Sequence, residues 1–544
     1  METAILNSKI KSSTQSGAYK IMLLFAFILH IGVFIYFMIN TPIHTDEVMT
    51  VLNANSLAKS GTDILGEKLP IYFDTWLYGG QSPFATYLVA IMIKLFGYSL
   101  FVTRVPMFVF SMLGLIAFYK FLKEVVPENE TLINIAFCLA CISPWHLYSS
   151  AFTLDCNFLP HIAMFGMYFL AKGINSTKSR YFVISMLFFG LGFYCYILSA
   201  IIIPVLLAVL FLILLIKKKV SFKNTIISVI TIFIVAIPFI LQGLVQFGII
   251  ENLNFLGFSI SKMPYYNRAV ESSSSFIENV ICGFAFTVFP DLVTINSCSF
   301  NYQNSFGGIL LLLGIIYLII TRKKELSLAK IIVISFSISA CISFGFAYFY
   351  SATYRFNIYN YIFILGTAFG IQFISSAKIK NIGKITIIAL IISSLAISGY
   401  SFAYYFNKDK IESDIFYEKS ITNSLDFAEN KTNNSIDIVY SNNNIVFIKM
   451  ARNQRLYIST MFKYINEYDS SNAKEEMLNI YINSKNPNEN TLKIKNNNSI
   501  NFVSPKKILN DDVFIAETDD INTLKYDKKL YKYKSFGVYT VFYK

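Results

Sequence analysis

Long apolar segments recur along the first three quarters of this 544-residue chain and then stop. Ile21–Asn40 is almost wholly apolar, and about 20 such residues are enough for a helix to cross a bilayer. From residue 405 onward the chain is polar and rich in Asn and Lys. This pattern predicts a polytopic α-helical membrane module, residues 1–404, followed by a soluble domain, residues 405–544.

The apolar segments predict about eleven transmembrane helices. They cover approximately residues 21–40, 104–122, 131–148, 156–172, 181–197, 199–216, 225–247, 306–321, 328–349, 357–376 and 384–404. The segment 83–96 is left out because about 14 residues is short for a span and because it carries Lys94. We expect it to lie in the outer interface as an amphipathic helix. The segment 278–292 is also short, and we expect it to be re-entrant or interfacial.

The net charge of +13 comes mostly from the membrane module, because residues 405–544 hold 20 Lys and Arg against 18 Asp and Glu. With the N-terminus in the cytoplasm, 19 of the 26 basic residues of residues 1–404 fall on the cytoplasmic side. This bias is the positive-inside rule. It predicts a multi-pass protein of the cell membrane, surrounded by lipid, with loop 41–103 and the C-terminal domain outside. The basicity therefore reflects topology, and no nucleic-acid partner is predicted.

Carboxylates and isolated arginines converge on the predicted outer face. The segment His44-Thr45-Asp46-Glu47 follows the first span directly, and Asp155 follows the third. Arg104 and Arg355 begin the second and tenth spans on the same face. An Arg can bind a phosphate diester in a bidentate manner, and a carboxylate can take the proton of an attacking hydroxyl. The pattern therefore indicates a reaction between an anionic lipid-linked donor and a neutral acceptor.

Six short motifs occur in a characteristic order. They are Thr45-Asp46-Glu47, Tyr78-Gly79-Gly80-Gln81-Ser82-Pro83, Leu95-Phe96-Gly97, Thr103-Arg104-Val105-Pro106, Ser143-Pro144-Trp145-His146 through Leu154-Asp155-Cys156-Asn157 with Pro160, and Tyr354-Arg355-Phe356-Asn357. Their order resembles the GT-C glycosyltransferases of the protein O-mannosyltransferase and aminoarabinose transferase type (family 39). The later motifs resemble a subgroup from low-GC Gram-positive bacteria. The resemblance covers about residues 20–404 and the general form of the tail.

The resemblance implies an enzyme that transfers a hexose or pentose from a polyprenyl-phosphate carrier to a cell-envelope acceptor on the outer face. It implies that Asp46 is the catalytic base, that Glu47 is its acidic neighbour and that Asp155 is a second carboxylate. It places Arg104 and Arg355 at the donor phosphate. It also makes Asp46, Asp155 and His44 candidate ligands of a divalent metal, the one cofactor implied. Where relatives have Ser-Arg-Trp, this chain has Ser150-Ala151-Phe152, and Gln81-Ser82-Pro83 replaces a Lys before paired prolines.

The tail has the composition of an α/β or α+β domain. Predicted strands lie at residues 437–440, 445–448, 501–504, 513–516 and 535–543, and a helix at residues 413–429. We expect this extracytoplasmic domain to recognise the acceptor or to cap the active site. A structural appendage without substrate contact is the alternative.

Two other functions fit the same hydropathy. A lipid-linked glycan polymerase or flippase would more often carry charged residues in mid-span, and none of the predicted spans has one in its middle third. A non-catalytic membrane protein with an outer partner-binding domain would not need Asp46, Asp155 and Arg355 on one face. His44, His146 and His161 are either metal ligands or proton carriers, or ordinary residues of the membrane interface.

Overall fold

The computed structural model describes most of the chain. The described residues are 2–75, 80–263, 275–290, 304–346, 353–376, 379, 381–405, 419–432, 434–441, 446–465, 490–493 and 499–544. Tyr78 and Gly79 of the second motif lie outside them, as do the side chains of Asp74 and Tyr354.

The described chain is mostly helical. The α-helices are α1 (Glu2–Asn40), α2 (Thr45–Ser60), α3 (Pro83–Phe96), α4 (Leu100–Val125), α5 (Glu130–Cys141), α6 (Pro144–Ser149), α7 (Asp155–Ser176), α8 (Ser179–Gly192), α9 (Ser199–Ile216), α10 (Phe222–Gln246), α11 (Phe276–Val288), α12 (Ser305–Ile320), α13 (Ser327–Gly345), α14 (Asn360–Ser375), α15 (Ile382–Tyr405), α16 (Lys419–Glu429) and α17 (Val446–Lys463). Short 3₁₀ helices cover Lys324–Leu326, Thr353–Tyr359 and Thr518–Thr523.

Six of the described helices are long and apolar enough to cross a membrane. They are Ile21–Asn40, Leu100–Val125, Ser199–Ile216, Phe222–Gln246, Lys324–Gly345 and Arg355–Ser375. Shorter apolar helices are Pro83–Phe96, Glu130–Cys141, Ser179–Gly192, Phe276–Val288, Ser305–Ile320 and Ile382–Ser393. The multi-pass helical architecture is thereby confirmed, whereas the count of eleven spans stays a prediction.

The chain divides into two compact units. The helical unit contains residues 1–37, 104–240 and 269–401, and the sheet unit contains residues 38–103, 241–268 and 402–544. In the helical unit, α12 and α14 pack with their backbones in contact. A Cβ on Gly314 would lie 2.0 Å from the carbonyl oxygen of Gly366, and one on Gly370 would lie 1.9 Å from that of Leu310. Glycines at a membrane helix interface allow this close approach.

The sheet unit contains a six-stranded mixed sheet with the strand order β11-β12-β9-β5-β7-β6. Its strands are β5 (Ile436–Val439), β6 (Asn490–Lys493), β7 (Ser499–Val503), β9 (Val513–Glu517), β11 (Lys532–Phe536) and β12 (Tyr539–Tyr543), and the two-stranded sheets contain β1 (Phe73–Asp74), β2 (Gly80–Gln81), β3 (Leu253–Phe255), β4 (Phe258–Ile260), β8 (Ile508–Leu509) and β10 (Lys525–Tyr526). Strand β5 is parallel to β7 and β9, and the other pairs of the large sheet are antiparallel.

One predicted strand of the tail is wrong. Residues 446–448 begin helix α17, although the run Ile445-Val446-Phe447-Ile448 has β-type composition. Further along this helix, Leu456, Met461 and their neighbours are buried in one core with the sheet. A helical pattern sustained over 18 residues outweighs a four-residue β-type run, because tertiary packing overrides local propensity.

Helix α2 is part of the hydrophobic core of the sheet unit. Val48 and Leu52 of α2 belong to the same buried cluster as Ile438 of β5, Ile515 of β9 and Leu456 of α17. The Asn55 side-chain amide donates a hydrogen bond to the backbone oxygen of Ile465 at 3.1 Å. Loop 41–103 and the tail therefore share one core, while the predicted domain boundary between residues 404 and 405 stays a prediction.

Candidate functional site

The segment His44–Glu47 forms the N-terminus of helix α2 through a capping box. His44 is the N-cap residue with φ −78° and ψ 148°, and its Nδ1 accepts a hydrogen bond from the backbone N–H of Asp46 at 3.1 Å. In return, Oε2 of Glu47 accepts from the backbone N–H of His44 at 3.1 Å. Two of the otherwise unpaired N–H groups at this helix start are thereby satisfied.

The capping box separates the roles of the two adjacent carboxylates. Glu47 is 1% exposed and holds the helix start, whereas the Asp46 side chain is 49% exposed. Gln81 supports the same turn, because its Nε2 donates to Oγ1 of Thr50 at 2.7 Å and to the backbone oxygen of Asp46 at 3.4 Å. Of the two, Asp46 is the carboxylate that a substrate can reach.

In the helical unit, the segments that carry Asp155 and Arg355 are in contact. Asp155 is the first residue of α7, and its Oδ1 accepts from the backbone N–H of Cys156 at 2.7 Å. Arg355 lies in the 3₁₀ helix Thr353–Tyr359. Asn357 of this helix donates from Nδ2 to the backbone oxygen of Cys156 at 3.2 Å. Both Asp155 and Arg355 are partly exposed. The structure therefore brings this predicted pair to one region.

Arg104 is fully buried in the same unit. Its guanidinium donates from Nη1 to the backbone oxygen of Phe37 at 3.4 Å, and its Cζ lies 5.4 Å from the centroid of the Phe152 ring. The Phe37 carbonyl belongs to the last turn of α1, where carbonyls lack partners within the helix and favour a cation. This placement makes Arg104 a cap of α1, and its contact with a donor phosphate stays a prediction.

The structure does not place the candidate metal ligands together in one unit. Among the residues that the structure describes, no group of three or more His, Cys, Asp or Glu side chains is arranged to hold a metal ion. Asp46 and His44 belong to the sheet unit and Asp155 to the helical unit. The His44 Nδ1 already accepts a backbone hydrogen bond. Asp46, Asp155 and His44 as ligands of a divalent metal therefore stay a prediction, and no chemical step is derived through a metal.

His30 and Tyr361 belong to a buried polar cluster, and sequence reasoning missed both. They lie together with the predicted His146 and His161 in the interior of the helical unit. His30 is a polar residue in the middle of the first apolar segment, and such residues are costly in a membrane and commonly functional. That signal was available in the sequence, whereas the Tyr361 contact depends on the fold of distant segments.

Comparison with known proteins gives one family match and several structural matches. The sequence profile of the family described as dolichyl-phosphate-mannose-protein mannosyltransferase matches residues 80–242. No curated protein matches the chain significantly. The crystal structure of ArnT from Cupriavidus metallidurans in the apo state is similar with 10% identity, coverage of 97% of this chain and 98% of that chain, and a TM-score of 0.53. The same protein bound to undecaprenyl phosphate gives 11% identity, the same coverage and a TM-score of 0.51.

At these identities, the similarity to ArnT shows the fold. The chain is thus a multi-pass membrane protein with the fold of ArnT. The family match supports the same conclusion over residues 80–242. Assignment to the low-GC Gram-positive subgroup stays a prediction.

Proposed function

We propose that this protein is a membrane glycosyltransferase that moves a hexose or pentose from a polyprenyl-phosphate donor to a glycan, lipid or protein of the cell envelope, on the outer face of the membrane. Two findings support the donor class. The fold is that of ArnT, which has been crystallised with undecaprenyl phosphate. The family that matches residues 80–242 is described by a dolichyl-phosphate-linked sugar donor.

The observation that carries the proposal is the exposure of Asp46 on a rigid helix start. The capping box and Gln81 fix the first turn of α2, and the neighbouring residues His44, Thr45 and Glu47 are buried. A carboxylate held in this way is preorganised to orient an acceptor hydroxyl and to remove its proton. A solvated loop carboxylate would need no such support.

We infer the reaction from the roles predicted for these residues, which belong to two different units of the chain. The acceptor oxygen attacks the anomeric carbon of the donor, and its proton passes to the Asp46 carboxylate. The bond between the anomeric carbon and the phosphate oxygen breaks, and the electron pair leaves with the polyprenyl phosphate. Arg355 binds the phosphate and stabilises its charge as that bond breaks. Asp155 orients the sugar, while Glu47 and His44 position Asp46 through the helix cap.

The test combines lipid analysis with a matched pair of variants. Cells that lack the protein should accumulate its lipid-linked sugar, whose mass identifies the donor. With that donor, Asp46→Asn should reduce transfer by roughly 10²-fold or more, because the variant cannot accept the proton. Asp426→Asn is the control, since the Asp426 side chain lies in the same unit and is 52% exposed.

Two results would contradict the proposal. The first is a deletion strain in which no polyprenyl-linked sugar accumulates. The second is transfer by Asp46→Asn at the wild-type rate, which would remove Asp46 from the chemistry. A loss of transfer in Asp426→Asn equal to that in Asp46→Asn would indicate general damage to the sheet unit.

A further inference from the structure

Four buried side chains form one hydrogen-bonded chain inside the helical unit, here called the histidine–tyrosine chain. It consists of His30 of α1, His146 of α6, His161 of α7 and Tyr361 of α14, each at most 1% exposed. Nε2 of His30 lies 2.7 Å from Nδ1 of His146. The Tyr361 hydroxyl lies 2.9 Å from Nε2 of His146 and 3.0 Å from Nδ1 of His161. These contacts link four helices.

The direction of every hydrogen bond in this chain follows from one contact. His30 Nδ1 lies 2.7 Å from the backbone oxygen of Ala26, and a carbonyl oxygen can only accept. In the neutral ring, Nε2 of His30 is then an acceptor, so His146 donates from Nδ1 and accepts at Nε2. The Tyr361 hydroxyl consequently donates to His146 and accepts from Nδ1–H of His161. The backbone oxygen of Ser111 is a further acceptor for the His146 ring. All four side chains can thus be neutral, and among the described residues Nε2 of His161 is the one ring nitrogen of this chain that has no hydrogen-bond partner.

The histidine–tyrosine chain lies close to the candidate site along two elements. His161 follows Asp155 by six residues on α7, and Tyr361 follows Arg355 by six residues, where the 3₁₀ helix leads into α14. Six residues are less than two helical turns. The hydrogen bond from Asn357 to the Cys156 carbonyl joins the same two elements nearer to Asp155 and Arg355. Two polar contacts thus fix α7 relative to the Arg355 segment.

We propose that the histidine–tyrosine chain is a positioning device for the candidate site, holding Asp155 at a fixed distance from Arg355. Hydrogen bonds between membrane helices are directional and therefore specify how the helices are aligned. Contacts between apolar side chains do not specify this alignment. His30, His146, His161 and Tyr361 would be positioning residues without contact to substrate. The activity part of the test rests on the proposed function, but the structural part does not.

Gly114 of α4 allows this arrangement to be disturbed without removing a polar group. A Cβ at Gly114 would lie 2.3 Å from Nδ1 of His161 and 2.7 Å from the Tyr361 hydroxyl. Gly114→Ala must therefore displace the two atoms that form the hydrogen bond between His161 and Tyr361. Gly32→Ala in α1 is the matched control, because a Cβ at Gly32 has nothing within 4 Å.

The structural test measures thiol labelling at each cysteine by mass spectrometry. Cys156 is 1% exposed and its carbonyl accepts the Asn357 hydrogen bond, while Cys195 is buried elsewhere in the helical unit. Tyr361→Phe and Gly114→Ala should each raise the labelling rate of Cys156 by about fivefold or more. Both variants disturb the hydrogen bond between His161 and Tyr361, so the segment around Cys156 should open locally more often and expose the thiol. The rate at Cys195 should not change, and Gly32→Ala should change neither. An unchanged Cys156 rate, or equal increases at both cysteines, would overturn the proposal.

The activity test uses two substitutions of His161 that differ in the reach of one donor. The Asn amide nitrogen replaces Nδ1, the atom that donates to Tyr361, whereas the Gln amide nitrogen replaces Nε2. His161→Asn should keep kcat within about threefold of wild type, and His161→Gln should lower kcat about tenfold or more. The donor KM should be nearly unchanged in both variants, because a misplaced catalytic group lowers the rate of the chemical step. Equal kcat values for the two variants would refute the positioning role of the contact between His161 and Tyr361. Absence of transfer by the wild-type protein would refute the proposed function and leave the labelling result in force.

Discussion

Arg104 and Arg355 have the same side chain but very different surroundings. Arg104 is completely buried, with its guanidinium against the last turn of α1 and the Phe152 ring. Arg355 is partly exposed and lies in the 3₁₀ helix that contacts the start of α7. The partly exposed Arg355 is thus open to its surroundings, whereas Arg104 would first have to leave the α1 terminus to meet a lipid phosphate. Arg355 is therefore the better candidate for donor binding.

We expect Arg355 to bind the donor phosphate through its planar fork. Arg355→Lys should weaken donor binding nearly as much as Arg355→Gln, by about tenfold or more, because Lys provides a point charge and cannot bind in a bidentate manner. Donor affinity is measured at equal expression. Arg180→Gln is the control, since Arg180 is exposed in the first turn of α8 and bonds only its neighbour Tyr181 among the contacts described. Full affinity in Arg355→Lys would show that Arg355 is an interfacial anchor.

The sequence supplied the identity of the candidate residues but not their separate roles. Asp46 and Glu47 are equivalent as adjacent carboxylates in the sequence, and the capping pattern His44–Glu47 lacks the usual Ser or Thr that makes such boxes visible. The α1 cap by Arg104 joins residues that are 67 positions apart. Such a contact depends on how two helices pack, which local residue patterns do not determine.

At the scale of elements, the close packing of α12 on α14 depends on three glycines. Gly366 and Gly370 are four residues apart on α14 and face Leu310, Leu311 and Gly314 of α12. A small residue at every fourth position allows two membrane helices to approach closely. This pairing was not predicted, because the length and apolar composition of a segment indicate a membrane span but not its partner helix.

Gly370→Ala should destabilise the helical unit. The added Cβ would lie 1.9 Å from the backbone oxygen of Leu310, and overpacking of this kind costs about 1–3 kcal/mol. The midpoint of thermal unfolding in detergent should fall. Gly243→Ala is the control, because a Cβ at Gly243 in α10 meets nothing within 4 Å. Equal midpoints for the two variants would mean that the α12–α14 contact tolerates separation.

The tail illustrates which elements can be predicted. Strands β5, β7, β9 and β12 overlap the predicted runs, since each is short and β-rich in composition. The run 535–543 is predicted as one strand, but it contains the end of β11, a turn at residues 537–538 and β12. Helix α17 was missed at its start because its first residues are β-type, and only the pattern over its whole length indicates a helix. That α2 belongs to the same core as these strands could not be predicted, because hundreds of residues separate them.

For the whole molecule, this shared core limits the possible topologies. Residues 38–103 and 402–544 form one unit with one buried cluster, so both must lie on the same side of the membrane. An even number of crossings must therefore separate them. The ten spans predicted between residues 104 and 404 meet this condition.

Helix α3 packs through Val89, Ala90 and Ile93 in a buried cluster with Ala54 and Leu57 of α2. This packing supports the exclusion of α3 from the predicted spans.

The charge distribution predicts on which side this unit lies, because 19 of the 26 basic residues of residues 1–404 are predicted in the cytoplasm. Lys68, Lys218 and Lys529 are exposed lysines of the α2–α3 loop, the turn after α9 and the tail. We expect a membrane-impermeant thiol reagent to label Lys68→Cys and Lys529→Cys in intact cells, and Lys218→Cys only after permeabilisation. The wild-type chain gives the background from its own cysteines.

The three variants together separate orientation from packing. The reverse pattern, with only Lys218→Cys labelled in intact cells, would place Asp46 inside and would end the proposal of transfer on the outer face. Labelling of Lys68→Cys and Lys529→Cys from opposite sides would contradict the shared core, because no single cluster can contain residues from both faces of a bilayer. The predicted pattern requires that the positive-inside rule sets the orientation. It also requires that α2 and the tail fold together in one core.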